Sequence, residues 1–289
     1  MRWNCRAETA GKSVRRAGRR PKHSMKDYLK LIILKEANRS SLRMAEACYS
    51  ELVCGMRVDH SVIHYWEKRF GSGLIEELER HLGRRIEELL NYSFSVLDST
   101  KMSTWRGDTV EFHLLVRIAG DKGSGTVYPA AVAFGSTSGT PLRAIVPGEL
   151  MADAWYDSRE VLRSMFKMGY TPIVKPAGNR ERGMWRKKAR VIFYKNEERY
   201  RMRGVGESVF GSLTNMFGDR LKTSLEVSTT AGIGAGITAY MVRIYMRIRL
   251  SYTEIRTGFL LLREFLDTLL ISRNYLPGMK PDCSDGEFL

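Results

Sequence analysis

The sequence contains few cysteines, and no two of them lie close together. Its four cysteines are Cys5, Cys48, Cys54 and Cys283. A small secreted domain that depends on disulfides carries cysteines at a much higher density, so this distribution predicts a reduced chain in the cytoplasm. We therefore expect a hydrophobic core, rather than covalent cross-links, to stabilise the fold.

One alternative use of the cysteines is a zinc site. Its candidate ligands are Cys48, Cys54, His60 and His64. Structural zinc sites usually contain a closely spaced cysteine pair, which this set lacks. The other interpretation buries Cys48 as a small hydrophobic residue and leaves His60 and His64 on the outer face of a helix.

Long apolar runs are also missing from the sequence. The longest uncharged stretch, Val227 to Val242, contains several glycines, and it is shorter than the roughly 20 apolar residues that a spanning helix needs. No apolar block follows the basic residues of the N terminus. The sequence therefore predicts neither a secretory signal nor a membrane partner.

Acidic residues are too few to balance the basic ones. The chain has 47 Lys and Arg against 32 Asp and Glu, which gives a formal net charge of +15. This surplus predicts attraction to a polyanion, although composition alone does not choose between DNA, RNA and a membrane surface. Residues 1–22 contain eight Lys or Arg and no periodic apolar residues, so we expect a disordered basic arm there.

Residues 23–90 show the apolar spacing of helices. Three successive helices are predicted to begin at polar N-caps, and these caps are Ser24, Ser41 and Asp59. Gly55 is predicted to end the second helix. A separate acidic helix is predicted around Leu74 to Leu90, as a spacer or a dimer contact.

The third of these helices has a polar face that includes Lys68 and Arg69. The arrangement is typical of a helix-turn-helix, in which such a face lies in the major groove and contacts DNA. Residues 23–90 are accordingly predicted to be a DNA-binding region. The alternative is a small helical bundle with an ordinary solvated face.

From residue 91 onward the pattern changes to strands. Three consecutive antiparallel strands are predicted, over Tyr92 to Asp98, Val110 to Ala119 and Thr126 to Phe134. Shorter strands then precede Asp153 and cover Thr171 to Val174, with a helix between them. This alternation of strands and helices is typical of an α/β core.

Three acids stand at the ends of predicted elements. Asp98 and Asp153 each follow an apolar strand, and Glu207 opens an amphipathic helix. Carboxylates are the ligands that Mg²⁺ or Mn²⁺ prefers, and two such ions can activate a water and stabilise the leaving oxygen of a phosphodiester. The sequence thus predicts a metal site that cuts nucleic acid. Asp157 is a competing candidate for the role of Asp153.

A basic and aromatic stretch leads up to Glu207. Residues 175 to 203 contain eleven Lys or Arg, among them Lys187 and Lys188, interleaved with Trp, Phe and Tyr. Such a stretch suits phosphate contact and stacking on bases or sugars. A basic hairpin with a solvated face is the alternative.

The segments around the acids resemble those of a known family. Val-Leu-Asp98-Ser-Thr, Ala-Asp153-Ala-Trp-Tyr-Asp-Ser and Tyr200-x2-Arg203-x3-Glu207 are similar to the DDE transposases of prokaryotic insertion sequences. The resemblance runs from about residue 91 to residue 249. In that family a lysine follows the glutamate by seven positions, where this chain has Thr214.

The resemblance implies an RNase H-like fold, in which a mixed sheet is flanked by helices. It also implies that Asp98, Asp153 and Glu207 hold Mg²⁺ and catalyse strand cleavage and strand transfer at the ends of an insertion sequence. Arg203 would steady a phosphate, and Tyr200 would pack against the DNA end. The expected partner is DNA, bound by a homodimer in the cytoplasm and associated with the nucleoid.

The corresponding domain prediction has four parts. The basic arm covers residues 1–22, the helical region 23–90, the catalytic domain 91–249, and a C-terminal helix and tail 250–289. Thr214 supports a rival prediction, in which the chain is an inactive DNA-binding relict of a transposase. Arg220 or Lys222 could replace the missing lysine.

Overall fold

The N-terminal region is helical in the computed structural model, which describes residues 22–90, 92–119, 125–135, 147–178, 182–218 and 226–249. Its helices are α1 (Met25–Ala37), α2 (Leu42–Cys48), α3 (Ser50–Cys54) and α4 (His60–Glu87). The predicted caps are present, because Ser24, Ser41 and Asp59 each accept a backbone N–H in the first turn of α1, α2 and α4. A mostly helical N-terminal region is thus confirmed.

Two predictions about these helices are wrong. The second helix is broken at Tyr49, where the hydroxyl of Ser50 donates to the carbonyl of Glu46 and competes with the regular helical bonds. The third and fourth predicted helices are one continuous helix, α4. Gly83 lets α4 pack closely on β3, since a Cβ at this position would lie 2.4 Å from the carbonyl oxygen of Ala130.

A mixed sheet follows the helices. Its strands are β1 (Tyr92–Ser103), β2 (Thr109–Ala119), β3 (Thr126–Phe134), β4 (Glu149–Ala152) and β5 (Thr171–Val174), and their order across the sheet is β3-β2-β1-β4-β5. The first three strands are antiparallel, whereas β4 and β5 run parallel to β1. Strand β1 is therefore the central strand of the sheet. Its neighbours are β2 on one side and β4, which precedes Asp153, on the other.

Helices cover the sheet. A single 3-10 turn (Ala154–Tyr156) and α5 (Arg159–Lys167) connect β4 to β5, and the later helices are α6 (Met184–Lys195), α7 (Glu197–Tyr200), α8 (Arg203–Phe217) and α9 (Glu226–Arg249). One buried cluster joins α1, α4, α8 and α9 to one face of the sheet, and a second joins α5 and α6 to Leu97, Leu115 and their neighbours. The predicted RNase H-like α/β fold is confirmed.

The later helices exclude one alternative for the basic stretch, because most of its residues form α6 and α7 rather than a hairpin. The glycines at 232, 234 and 236 lie inside α9, and a Cβ at Gly234 would lie 2.2 Å from a methyl carbon of Ile75. The glycine therefore allows α9 and α4 to approach closely.

Some predicted features lie outside the described residues. They are residues 1–21 of the basic arm, residues 121–124 of the glycine-rich hairpin turn predicted between the second and third strands, Arg220, Lys222, and the C-terminal segment 250–289. The boundaries of the four predicted domains stay a prediction.

Candidate active site

The register of the central strands brings Asp98 and Asp153 together. β1 and β4 are parallel neighbours in which Leu97 pairs with Ala152, so the next residue of each strand is one of the two acids. Neighbouring strands lie about 4.8 Å apart. Burial, and then the nearby carboxylate of Asp98, raises the pKa of Asp153. Two acids held this closely favour binding of a cation between them.

Each of these acids has one oxygen fixed by the backbone. Oδ1 of Asp98 accepts the N–H of Ser99 at 2.9 Å, and Oδ1 of Asp153 accepts the N–H of Trp155 at 3.0 Å. The second bond makes Asp153 the cap of the 3-10 turn. The backbone thereby restricts the rotation of both carboxylates.

Gly206 positions Glu207 beside the sheet. An added Cβ at Gly206 would lie 2.9 Å from Cβ and from Cγ1 of Val96, closer than ordinary carbon atoms approach. Helix α8 can therefore contact β1 directly, two residues before Asp98. Glu207 follows Gly206 at this contact, and its side chain is about half exposed.

Arg203 connects the first acid to the third. Its Nη1 lies 2.8 Å from Oδ2 of Asp98, and its Nη2 lies 2.7 Å from Oε1 of Glu207. Both pairs are hydrogen bonds of a charged donor with a charged acceptor, which are stronger than neutral ones. The guanidinium therefore offsets part of the negative charge of the two carboxylates and brings α8 to Asp98, in the middle of β1.

Tyr200 lies next to the same group of charges. Its ring meets that of Phe193 edge to face, with centroids 5.2 Å apart. Burial raises the pKa of Tyr200, and the carboxylates of Asp153, Asp98 and Glu207 raise it further, while Arg203 opposes them. The Tyr, Arg and Glu of the sequence motif thus converge on the two aspartates.

Asp157 has other contacts. One of its oxygens accepts the N–H of Ala177 at 2.8 Å, and the other lies 3.4 Å from Nε of Arg186. Arg186 also donates to the Asp157 carbonyl. Asp157 therefore attaches α6 and the residues after β5 to the end of the 3-10 turn, and the geometry favours Asp153 as the acid of the site.

The remaining predicted DNA contacts lie on exposed helix surfaces. Lys187 and Lys188 are exposed on α6, and Nζ of Lys188 lies 4.6 Å from the ring centroid of Phe166. Lys68 and Arg69 are exposed on α4, where Arg69 donates to the hydroxyl of Tyr65 at 3.3 Å. Thr214 is exposed on α8. None of these five residues has a described contact with the three acids.

A second group of potential metal ligands occurs in the helical region. Within the described residues, Glu46, Asp59 and His60 are the one set of three whose ligand atoms all lie within 4.8 Å of one another. Protein groups already satisfy this set, because Glu46 binds Arg57 and His60 while Asp59 caps α4. No cysteine takes part.

Cys48 is exposed, so its predicted burial is wrong. Among the described residues, no helix has both the length and the apolar character needed to span a membrane.

Sequence reasoning missed several residues around the acids. The sequence carries a weak signal for Gly206, because a glycine directly before the motif glutamate can indicate a close contact between its helix and a neighbouring element. His113, Tyr156 and Ser99 were also missed, although a histidine inside the apolar strand β2 signals a buried polar contact. The structure places Tyr156 next to His113 and Ser99.

A family comparison agrees with this geometry. Residues 112–242 match the transposase DDE domain family. The match includes Asp153, Tyr200, Arg203 and Glu207, and it begins after Asp98. It confirms the predicted resemblance to the DDE transposases over these residues. A search of curated proteins finds no match.

Proposed function

We propose that the protein is a transposase that cuts DNA at the ends of an insertion sequence and joins the freed ends to target DNA. The observation that carries this proposal is the convergence of Asp98, Asp153 and Glu207 beside Arg203, from the middle of β1, from the residue after β4 and from α8. The match to transposase DDE domains supports the reaction class. Cytoplasmic DNA is the proposed substrate, and two copies of the chain are proposed to bind it.

The three carboxylates fit divalent metal ions. They are hard oxygen ligands, the kind that Mg²⁺ or Mn²⁺ requires, and the like charges of Asp98 and Asp153 are close enough to raise the pKa of Asp153. Asp98, Asp153 and Glu207 would hold the ions. When bound, two such ions supply Lewis-acid stabilisation of the attacking and leaving oxygens.

The chain's own residues orient the DNA. Arg203 can exchange one of its carboxylate partners for a DNA phosphate, because its planar guanidinium can donate two hydrogen bonds to a carboxylate or to a phosphate. Tyr200 presents a half-buried ring beside the acids, where it can pack against the terminal nucleotide. Cleavage adds water to a phosphodiester and leaves a 3′-hydroxyl, which then attacks a phosphodiester of the target and displaces a new 3′-hydroxyl.

The rival proposal is an inactive relict that still binds DNA. Its support is Thr214, an exposed neutral residue two helical turns beyond Glu207, at the position where the family has lysine. Threonine cannot provide the charged contact of a lysine with a phosphate. The geometry of the three acids and Arg203 favours the active enzyme.

A cleavage assay separates these two proposals. The full chain is incubated with duplexes that carry the DNA flanking its reading frame, with Mg²⁺, with Mn²⁺ or with chelator. We expect nicks at fixed positions only when metal is present. Binding without nicks under both metals would support the relict, and the absence of binding and of nicks would refute the transposase proposal.

The helical region provides a separate prediction. Lys68→Ala combined with Arg69→Ala is expected to weaken DNA binding and to flatten the slope of log affinity against log salt by about 1.8, because each phosphate contact contributes about 0.9. The measurement is a salt titration of binding by fluorescence anisotropy.

The matched control removes the same charge from the other end of α4, as Arg84→Ala with Arg85→Ala. We expect this control to leave the slope unchanged. Equal slopes for both double variants and the wild type would mean that Lys68 and Arg69 do not contact DNA.

A further inference from the structure

A buried chain of hydrogen bonds lies directly behind the two aspartates. His113, on β2, is 2% exposed and pairs with Ser99 in the register of β1 and β2. Its Nδ1 is 2.8 Å from the hydroxyl of Tyr156, and its Nε2 is 2.9 Å from the carbonyl oxygen of Gly135. Tyr156 is 1% exposed and also hydrogen-bonds the side chain of Ser99.

The contacts determine the direction of each bond. A carbonyl oxygen only accepts, so Nε2 of His113 carries the proton and donates to Gly135, which leaves Nδ1 of the neutral ring as an acceptor. The Tyr156 hydroxyl must then donate to Nδ1. Its oxygen remains free to accept the hydroxyl proton of Ser99. The chain thus runs from Ser99 to Tyr156 to His113 to Gly135 with every donor matched to an acceptor.

Two neighbouring members of this chain, Ser99 and Tyr156, are attached to the acids of the site. Ser99 lies on β1, and its N–H donates to Oδ1 of Asp98. Ser99 is therefore in direct contact with the first acid. The N–H of Tyr156 binds the carbonyl of Asp153 at 3.2 Å, and Tyr156 ends the 3-10 turn that Asp153 caps. The bond between Ser99 and Tyr156 therefore links the segment after Asp98 to the segment after Asp153.

We propose that Ser99, Tyr156 and His113 are positioning residues that fix the separation and orientation of Asp98 and Asp153 for metal binding. This inference rests on the proposed function. Without the chain, the 3-10 turn loses a polar attachment to β1 that adds to the short pairing of β4 and to the packing of the Tyr156 ring, and the mutual repulsion of the two carboxylates can move them apart more readily. Outer residues that orient metal ligands typically change metal affinity or activity by about 10- to 100-fold when they are replaced.

Tyr156→Phe tests the proposal with the least change of shape. The ring stays in its buried position, while His113 and Ser99 lose their shared partner. We expect Mn²⁺ affinity, measured from the signal of free Mn²⁺ by electron paramagnetic resonance, to fall by about 10- to 100-fold. Binding of DNA ends in chelator should stay within about twofold, because phosphate attraction is a separate contribution. Cleavage should need correspondingly more Mg²⁺ for half-maximal rate.

Two controls distinguish positioning from a general loss of stability. Tyr128→Phe removes the hydroxyl of another fully buried tyrosine, on β3, and it should leave Mn²⁺ affinity unchanged. Ser99→Ala should reproduce the loss, and Ser99→Thr, which keeps a hydroxyl, should restore affinity to within about threefold of the wild type. If Tyr156→Phe does not fold, the comparison of Ser99→Ala with Ser99→Thr tests the positioning role instead.

The outcomes also separate this inference from the proposed function. Unchanged Mn²⁺ affinity in folded Tyr156→Phe or Ser99→Ala would overturn the positioning role. A wild-type protein that binds Mn²⁺ without cutting DNA would overturn the proposed function alone, while the variants would still test the chain of hydrogen bonds. A wild-type protein that does not bind Mn²⁺ would overturn both.

Discussion

Asp153→Asn is expected to lower the rate of metal-dependent DNA cleavage by about a thousandfold or more. Asparagine keeps the shape of aspartate and can still cap the 3-10 turn, so the fold should be retained. It removes the negative charge that the metal requires. Loss of about 4 kcal/mol of Lewis-acid stabilisation corresponds to roughly a thousandfold in rate. The measurement is single-turnover cleavage at saturating DNA, and binding of DNA should change by less than about threefold.

Asp157→Asn is the matched control for this prediction. It makes the same substitution four residues later, at a carboxylate that contacts Ala177 and Arg186. We expect lower thermal stability and a cleavage rate within about tenfold of the wild type, because an imperfectly replaced buried hydrogen bond costs about 1–3 kcal/mol of folding free energy. The reverse result, with Asp157 essential and Asp153 dispensable, would show that the metal ligand is wrongly assigned.

Gly206→Ala should reduce cleavage by about 10- to 100-fold although it adds only one methyl group. The new Cβ would lie 2.9 Å from two carbon atoms of Val96, so α8 must move away from β1. Overpacking of this kind costs about 1–3 kcal/mol of stability. Glu207 is the next residue and moves with the helix, and a displacement of about 1 Å at a catalytic site can cost about 100-fold in rate. Cleavage rate and melting temperature are measured together.

The same helix offers a control and a rescue for this variant. A Cβ at Gly211 meets no atom within 4 Å, so Gly211→Ala should stabilise the protein by up to about 1 kcal/mol through helix propensity and leave cleavage unchanged. Val96→Ala combined with Gly206→Ala should recover part of the rate, since it removes Cγ1 and Cγ2 of Val96, two of the three carbon atoms that the new methyl group meets, while Cβ remains. A Gly206→Ala protein with wild-type cleavage would mean that close approach of α8 is unnecessary.

Sequence alone predicted the parts of the site that depend on local spacing. Asp98 and Asp153 were found as acids that follow apolar residues, although β1 continues beyond Asp98 to Ser103 because Ser99–Ser103 still pair with β2, and Tyr200, Arg203 and Glu207 were found from their spacing within one segment. The antiparallel order of the first three strands was also predicted, because alternating residues and a glycine-rich turn are local signals. The parallel pairing of β1 with β4 explains why the two aspartates lie close together.

The features that sequence missed depend on contacts between distant segments. The bond between His113 and Tyr156 spans 43 positions, and the bond between Arg203 and Asp98 spans 105. No local pattern shows which residues meet across such separations. The continuity of α4 was missed for a related reason, since its glycines resemble helix ends until packing against β3 and α9 is known.

The length of α4 has a consequence for how the protein would measure DNA. The helix has 28 residues and therefore spans about 42 Å, at about 1.5 Å per residue. The second half of α4 packs on β3 and α9, and Lys68 and Arg69 lie in the first half of the same continuous helix. Their position relative to the sheet is therefore set by this packing. Under the proposed function, α4 would hold Lys68 and Arg69 at a fixed distance from the three acids. The cut would therefore fall at a constant distance from the base pairs that the helical region contacts.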